Sequence, residues 1–137
     1  MATRATTVPE QAFAVAVARV PERGRVLTAR TWMAQPDLVL LDEPAAGLAL
    51  GAREDLLARL TAMTTSSVVA IVLVTDRLKE IPAGFDRALV LTAGTVLASG
   101  PIEEVLTGAC LSAACELPFE VDARAGRFSA RAGASIR

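Results

Sequence analysis

Two adjacent carboxylates, Asp42 and Glu43, close the apolar run Leu38–Leu41, and Pro44 follows at once. An apolar run ending in acid groups reads as a buried strand that delivers them to a site. Few other side chains offer chemistry. The chain has no histidine, which excludes histidine bases, histidine-activated nucleophiles and histidine metal ligands. Its single lysine, Lys79, sits in R-L-K-E-I-P with no glycine before it, and reads as a solvated lysine on a short helix. No G-x-x-x-x-G-K-[ST] occurs within the 137 residues, so Lys79 does not have the setting of a phosphate-cradling lysine. Cys110 and Cys115 cannot build a zinc site unaided and read as free thiols in a reducing compartment.

The elements flanking the acid pair follow from periodicity. Residues 1–9 are small and polar and end at Pro9. Glu10–Arg19 fits a short helix, while its alternation of Ala and Val equally permits a strand. Pro21 suits the first turn of a helix running to about Ala34, and Pro36 with Asp37 breaks it. Leu38–Asp42 is a strand apolar on both faces, and Pro44–Leu50 is a loop. Gly51–Met63 is an amphipathic helix whose Leu56, Leu57, Leu60 and Met63 share a face. Val68–Thr75, rich in β-branched residues, is the strongest strand. Arg77–Ile81 forms a helical turn ended by Pro82. Asp86–Thr92 and Thr95–Ser99 pair around Ala93–Gly94. Pro101–Leu106 starts a short helix with Glu103 and Glu104 in its first turn, Ala109–Glu116 reads as helical, and Phe119–Asp122 pairs with Arg127–Ala130 around Ala125–Gly126. Helices alternating with apolar strands from Pro21 to Thr92 are the pattern of parallel α/β units.

Composition narrows the classes further. At 137 residues the chain matches one ordinary domain. Hydrophobic residues make up 53%, much of it alanine, yet the longest apolar runs, Ala12–Ala18 and Val68–Val74, are only seven residues long. A spanning helix needs roughly 18 or more, so no membrane insertion is expected. Ala12–Ala18, closed by Arg19, is also short for a signal-peptide core. The net charge is −1 and no Lys/Arg stripe forms, which argues against autonomous nucleic-acid binding.

From about Glu22 onward the chain resembles the C-terminal half of an ATP-binding cassette (ABC) transporter ATPase subunit. E-R-G-R-V-L-T-A-R (Glu22–Arg30) resembles the helix after the signature motif, and Q-P-D-L-V-L-L-D-E-P (Gln35–Pro44) the Walker B strand. A-A-G-L-A-L occupies the place of the D-loop. I-V-L-V-T-D (Ile71–Asp76) resembles the strand leading to the switch histidine, and G-T-V-L-A-S-G-P-I-E-E-V-L (Gly94–Leu106) the closing hairpin and helix. The resemblance implies an α/β fold: a partial P-loop NTPase (RecA-like) parallel sheet with flanking helices, plus a C-terminal β-hairpin and short helices. It divides the chain into a non-matching segment 1–20, a truncated core 21–107 and a C-terminal extension 108–137. It implies phosphoryl transfer to water with Mg-ATP as cofactor, Asp42 supporting Mg²⁺ through water once nucleotide is bound, and Glu43 polarising the attacking water.

Several positions depart from that pattern. The signature aligns with A-R-V-P-E (Ala18–Glu22), where Arg19 stands for the serine and Val20 and Pro21 for glycines that let backbone approach phosphate. Ala49 replaces the D-loop aspartate, and Asp76 replaces the switch histidine, where a carboxylate would repel a γ-phosphate rather than bond to it. Asp76 and Glu43 could also lie near one another and repel. The Walker A half has no counterpart in residues 1–18. The expectation is that this chain alone neither hydrolyses ATP nor binds it tightly, with Asp42 and Glu43 vestigial. Removal of the Walker A strand would also leave an apolar edge such as Val68–Val74 open, which Glu10–Val20 could partly cover. The readings are a degraded ATPase fragment, an interaction module or complementing half that docks on an intact ATPase subunit, or a subunit active only in such a complex. A membrane permease is the other partner class the resemblance implies, with a cytoplasmic location at the inner face of the membrane.

Overall fold

The computed structural model describes residues 15–19 (as backbone), 36–66 and 69–133. The expected helix from Pro21 to Ala34, together with Val20 and Pro21, lies outside the described residues.

Three parallel strands, β1 (Val15–Arg19), β2 (Leu38–Asp42) and β3 (Ala70–Val74), form a sheet in the order β1-β2-β3. Val39 and Leu41 are buried while Leu38 and Leu40 are half-buried, so β2 has one deeply covered face rather than two. The covering element is helix α1 (Leu50–Ser66), which buries Leu57 and Leu60 and packs Leu56 and Met63 beside them. Val39, Leu41 and Leu60 form the centre of this core, with Ile71 and Leu73 of β3 against it. Truncating a leucine so placed costs about 2–5 kcal/mol. At the end of α1, the hydroxyls of Thr64, Thr65 and Ser66 bond back to the carbonyls of Thr61 and Ala62, so these polar side chains are satisfied within the helix itself.

Strand β1 resolves the helix-or-strand ambiguity for Val15–Arg19 in favour of the strand; Glu10–Ala14 lie outside the described residues. It lies on β2, on the side away from β3. It therefore covers the edge of β2, and among the described residues β3 pairs only with β2.

After β3, a 3₁₀ turn (Leu78–Glu80) leads to hairpin β4 (Arg87–Thr92)–β5 (Thr95–Pro101). Ala93 and Gly94 both take positive φ (48° and 74°), the type I′ geometry that fits the twist of a hairpin. Helices α2 (Ile102–Val105) and α3 (Gly108–Cys115) follow, and β6 (Phe119–Arg124) pairs with β7 (Arg127–Ala132). Thr107 caps α3 by accepting from the Cys110 amide at 3.2 Å. Gly108 is required there, because a Cβ would stand 2.7 Å from the Phe119 carbonyl oxygen. A second core joins these parts: Ile102, Val105, Leu106 and Phe128 are buried together, with Leu78, Ile81 and Phe85 packed on them. No helix among the described residues is long and apolar enough to cross a membrane.

Candidate functional site

Because all three strands are parallel, their C-terminal ends share one edge of the sheet, with Arg19 in register with Asp42 and Asp42 with Val74. In open α/β sheets that edge is where ligands sit. It brings together three positions singled out from sequence: Arg19 at the end of β1, Asp42 with Glu43 at the end of β2, and Asp76 two residues beyond β3.

Asp42 is half-buried and Glu43 exposed. Glu43 adopts φ +46°, in the left-handed region. A non-glycine residue there costs roughly 1–2 kcal/mol. The conformation is pinned from both sides: the Glu43 amide donates to the Val74 carbonyl at 2.8 Å, and the Ala46 amide donates to the Glu43 carbonyl at 3.1 Å. Glu43 is thus held at the sheet edge in a strained backbone conformation, its side chain exposed, while the chain turns through 44–47. Asp76 is well exposed, 78% by side chain, with the Arg77 guanidinium 3.5 Å away. Ala49 is exposed at the position just before α1, its carbonyl accepting the first helical bond from the Arg53 amide at 2.9 Å.

Among the described residues, no three His, Cys, Asp or Glu side chains converge as a metal cage. A Mg²⁺ at Asp42 would therefore draw its remaining ligands from phosphate oxygens and water.

Sequence reasoning missed a charged joint beside this edge. Glu80 is buried, 3% exposed, between the side chains Leu78 and Ile81 that face the second core. Its carboxylate meets Arg53 Nε at 3.3 Å and Arg77 Nη1 at 3.4 Å, and accepts from the Thr75 hydroxyl at 3.3 Å. Arg53 also donates to the Leu48 carbonyl at 3.3 Å, so one guanidinium links the loop before α1 to the turn after Asp76. A second pair, Arg127 with Glu54, joins β7 to α1. The hydrogen bond from Arg127, and then its positive charge and that of Arg53, hold the Glu54 carboxyl below the ordinary carboxylate range, and the same bond raises Arg127. A charged residue between Leu78 and Ile81 was the available signal for Glu80; nothing local marks its partner 27 positions earlier.

No protein-family profile matches the chain. Individual proteins do. It is 44% identical over 101 residues to an uncharacterized ABC transporter ATP-binding protein, YlmA of Bacillus subtilis, a match covering 73% of this chain and 38% of that protein. It is 41% identical over 83 residues to the molybdenum import ATP-binding protein ModC of Mycobacterium tuberculosis, covering 61% of this chain and 22% of the relative. It is 38% identical over 100 residues to the hemin import ATP-binding protein HmuV of Rhodococcus jostii, covering 73% and 34%. In fold it is similar to a chain of a metal-chelate type ABC transporter solved in an inward-facing conformation, with a TM-score of 0.64 and 24% identity over 77% of this chain and 43% of that one. The chain is thus a relative of the ABC transporter ATP-binding proteins, with a partial P-loop NTPase fold consistent with their C-terminal part. It spans well under half the length of each of these three sequence relatives.

Proposed function

We propose that these residues are the acidic half of an ABC-type nucleotide site, and that the 137-residue chain by itself does not hydrolyse ATP. The observation that carries this reading is the pairing of a preserved acidic edge with substituted neighbours. Asp42 and Glu43 stand at the C-terminal end of β2, Glu43 held at positive φ, yet alanine and aspartate, Ala49 and Asp76, stand where the resemblance would put the D-loop aspartate and the switch histidine. Carboxylates oriented toward a phosphate do nothing until the phosphate is bound, and binding it calls for a cradle of backbone amides and a lysine. No such motif occurs in these residues. Calorimetric titration of the chain with Mg-ATP is expected to give no saturable heat below millimolar concentration; micromolar affinity would overturn the reading.

The second reading is a complementing half that docks on a polypeptide carrying the phosphate-binding strand and loop, or on an intact ATPase subunit beside a membrane permease at the cytoplasmic face. Its support is β3, which pairs only with β2 among the described residues and exposes Val72 and Val74. An open apolar edge strand is a template for an added strand. Co-expression with an intact ABC ATP-binding subunit followed by tagged purification tests it: a stoichiometric complex is expected, and recovery of the chain alone rejects docking.

A further inference from the structure

Three successive residues of the C-terminal hairpin, Gly126, Arg127 and Phe128, engage one short segment that follows Asp76. A Cβ on Gly126 would lie 3.2 Å from the Ala83 Cβ. Phe128 is buried in the cluster that includes Leu78 and Ile81. Between them, Arg127 donates to both carboxylate oxygens of Glu54 and, at 2.8 Å, to the Lys79 carbonyl. The residues next to these two anchors, Arg53 and Glu80, are themselves paired at 3.3 Å. Helix α1 and the 3₁₀ turn are therefore tied twice side by side, once directly and once through the hairpin.

We infer that hairpin β6–β7 is a brace which, through Arg127, locks the turn after Asp76 onto α1, so that the hairpin and this turn move as one. A half-exposed ion pair alone would add little. What makes Arg127 effective is its planar fork of donors, which meets both carboxylate oxygens of Glu54 and a carbonyl on another element at once; an acceptor side chain cannot do so, and lysine lacks the fork. The depressed titration of Glu54 is consistent with that contact. The inference does not depend on nucleotide binding.

Hydrogen exchange of the Glu80 and Ile81 amides in the full chain reads the brace directly. In the closed turn these amides donate to the carbonyls of Arg77 (2.9 Å) and Leu78 (3.0 Å). Arg127→Met is expected to speed their exchange by about tenfold while the β2 amides of Leu40 and Leu41 keep their rates. Glu54→Gln, whose side-chain oxygen still accepts from Arg127 and which leaves the bond to Lys79 in place, is expected to change them by less than about threefold. The charge swap Arg127→Glu with Glu54→Arg restores an ion pair, but a glutamate cannot donate to the Lys79 carbonyl, so exchange is expected to stay fast. The brace is rejected if Arg127→Met accelerates only the hairpin amides, or if the swap restores protection of Glu80 and Ile81. Should Arg127→Met unfold the chain, the swap and Glu54→Gln decide by the same readout.

Discussion

Glu80 is the buried charged residue among those described, and both Arg53 and Arg77 meet it. It is buried with two guanidiniums and a hydroxyl around it, one of the guanidiniums, that of Arg53, itself mostly buried. Removing one partner of a buried pair leaves the other uncompensated. Glu80→Ala is expected to lower unfolding free energy by about 3 kcal/mol, the lower end of the usual range because Arg77 is half exposed, as measured by urea titration. Glu54 makes a pH-dependent contribution of the opposite exposure. Its folded pKa lies below the unfolded value, so the folded state binds its proton more weakly. The resulting stability is present above the unfolded value of about 4.3 and is lost as pH falls from there through the folded value. Glu54→Gln is expected to make the stability curve shallower in that acid window and to leave its shape near neutrality unchanged; an identical acid limb in both proteins contradicts the pairing.

At the scale of elements, α1 begins without a side-chain cap. Ala49 holds the N-cap position, and no acidic residue occupies the first turn. The aspartate that the family resemblance leads one to expect at this place is also a strong N-cap, able to accept from the free amides of the first turn. Ala49→Asp is expected to raise stability by about 1 kcal/mol, read as a higher thermal midpoint, with no gain in ATP hydrolysis. A neutral or destabilising effect would mean that the loop 44–49 cannot present a side chain to the helix. The two hairpins show the reverse case, in which A-G turns were legible because tight turns need residues at positive φ, and Ala125 and Gly126 adopt it as Ala93 and Gly94 do.

Over the whole molecule the described chain has two cores, one between α1 and the parallel sheet, one among the C-terminal elements, with the Glu80 and Arg127 contacts crossing between them. The outer side of β4–β5 is uncovered: Leu89, Leu91 and Val96 are each more than half exposed, and Leu91 faces Val96 across the ladder. Clustered apolar exposure of this kind favours association. Replacing Leu91 and Val96 together by Thr keeps β-compatible side chains while removing apolar area. The double variant is expected to elute with a larger monomer fraction in size-exclusion chromatography at a stability within about 1 kcal/mol of the parent; an unchanged profile excludes this face as the adhesive one.

The sequence by itself determined the element order from Leu38 to Ala132, since apolar period, hairpin turns and helix breaks are local properties that act wherever the chain is placed. It also determined the acid pair at the end of β2 and, through ordered motifs, the resemblance to ABC transporter ATP-binding proteins. Only the tertiary structure decided that Val15–Arg19 is a strand lying on β2, because Ala/Val alternation is compatible with helix and strand until a neighbouring edge supplies hydrogen bonds. Only it joined Arg53 to Glu80 and Glu54 to Arg127, pairs separated by 27 and 73 positions. Such contacts arise from packing of whole elements, which brings charged groups together without leaving a pattern in either local stretch.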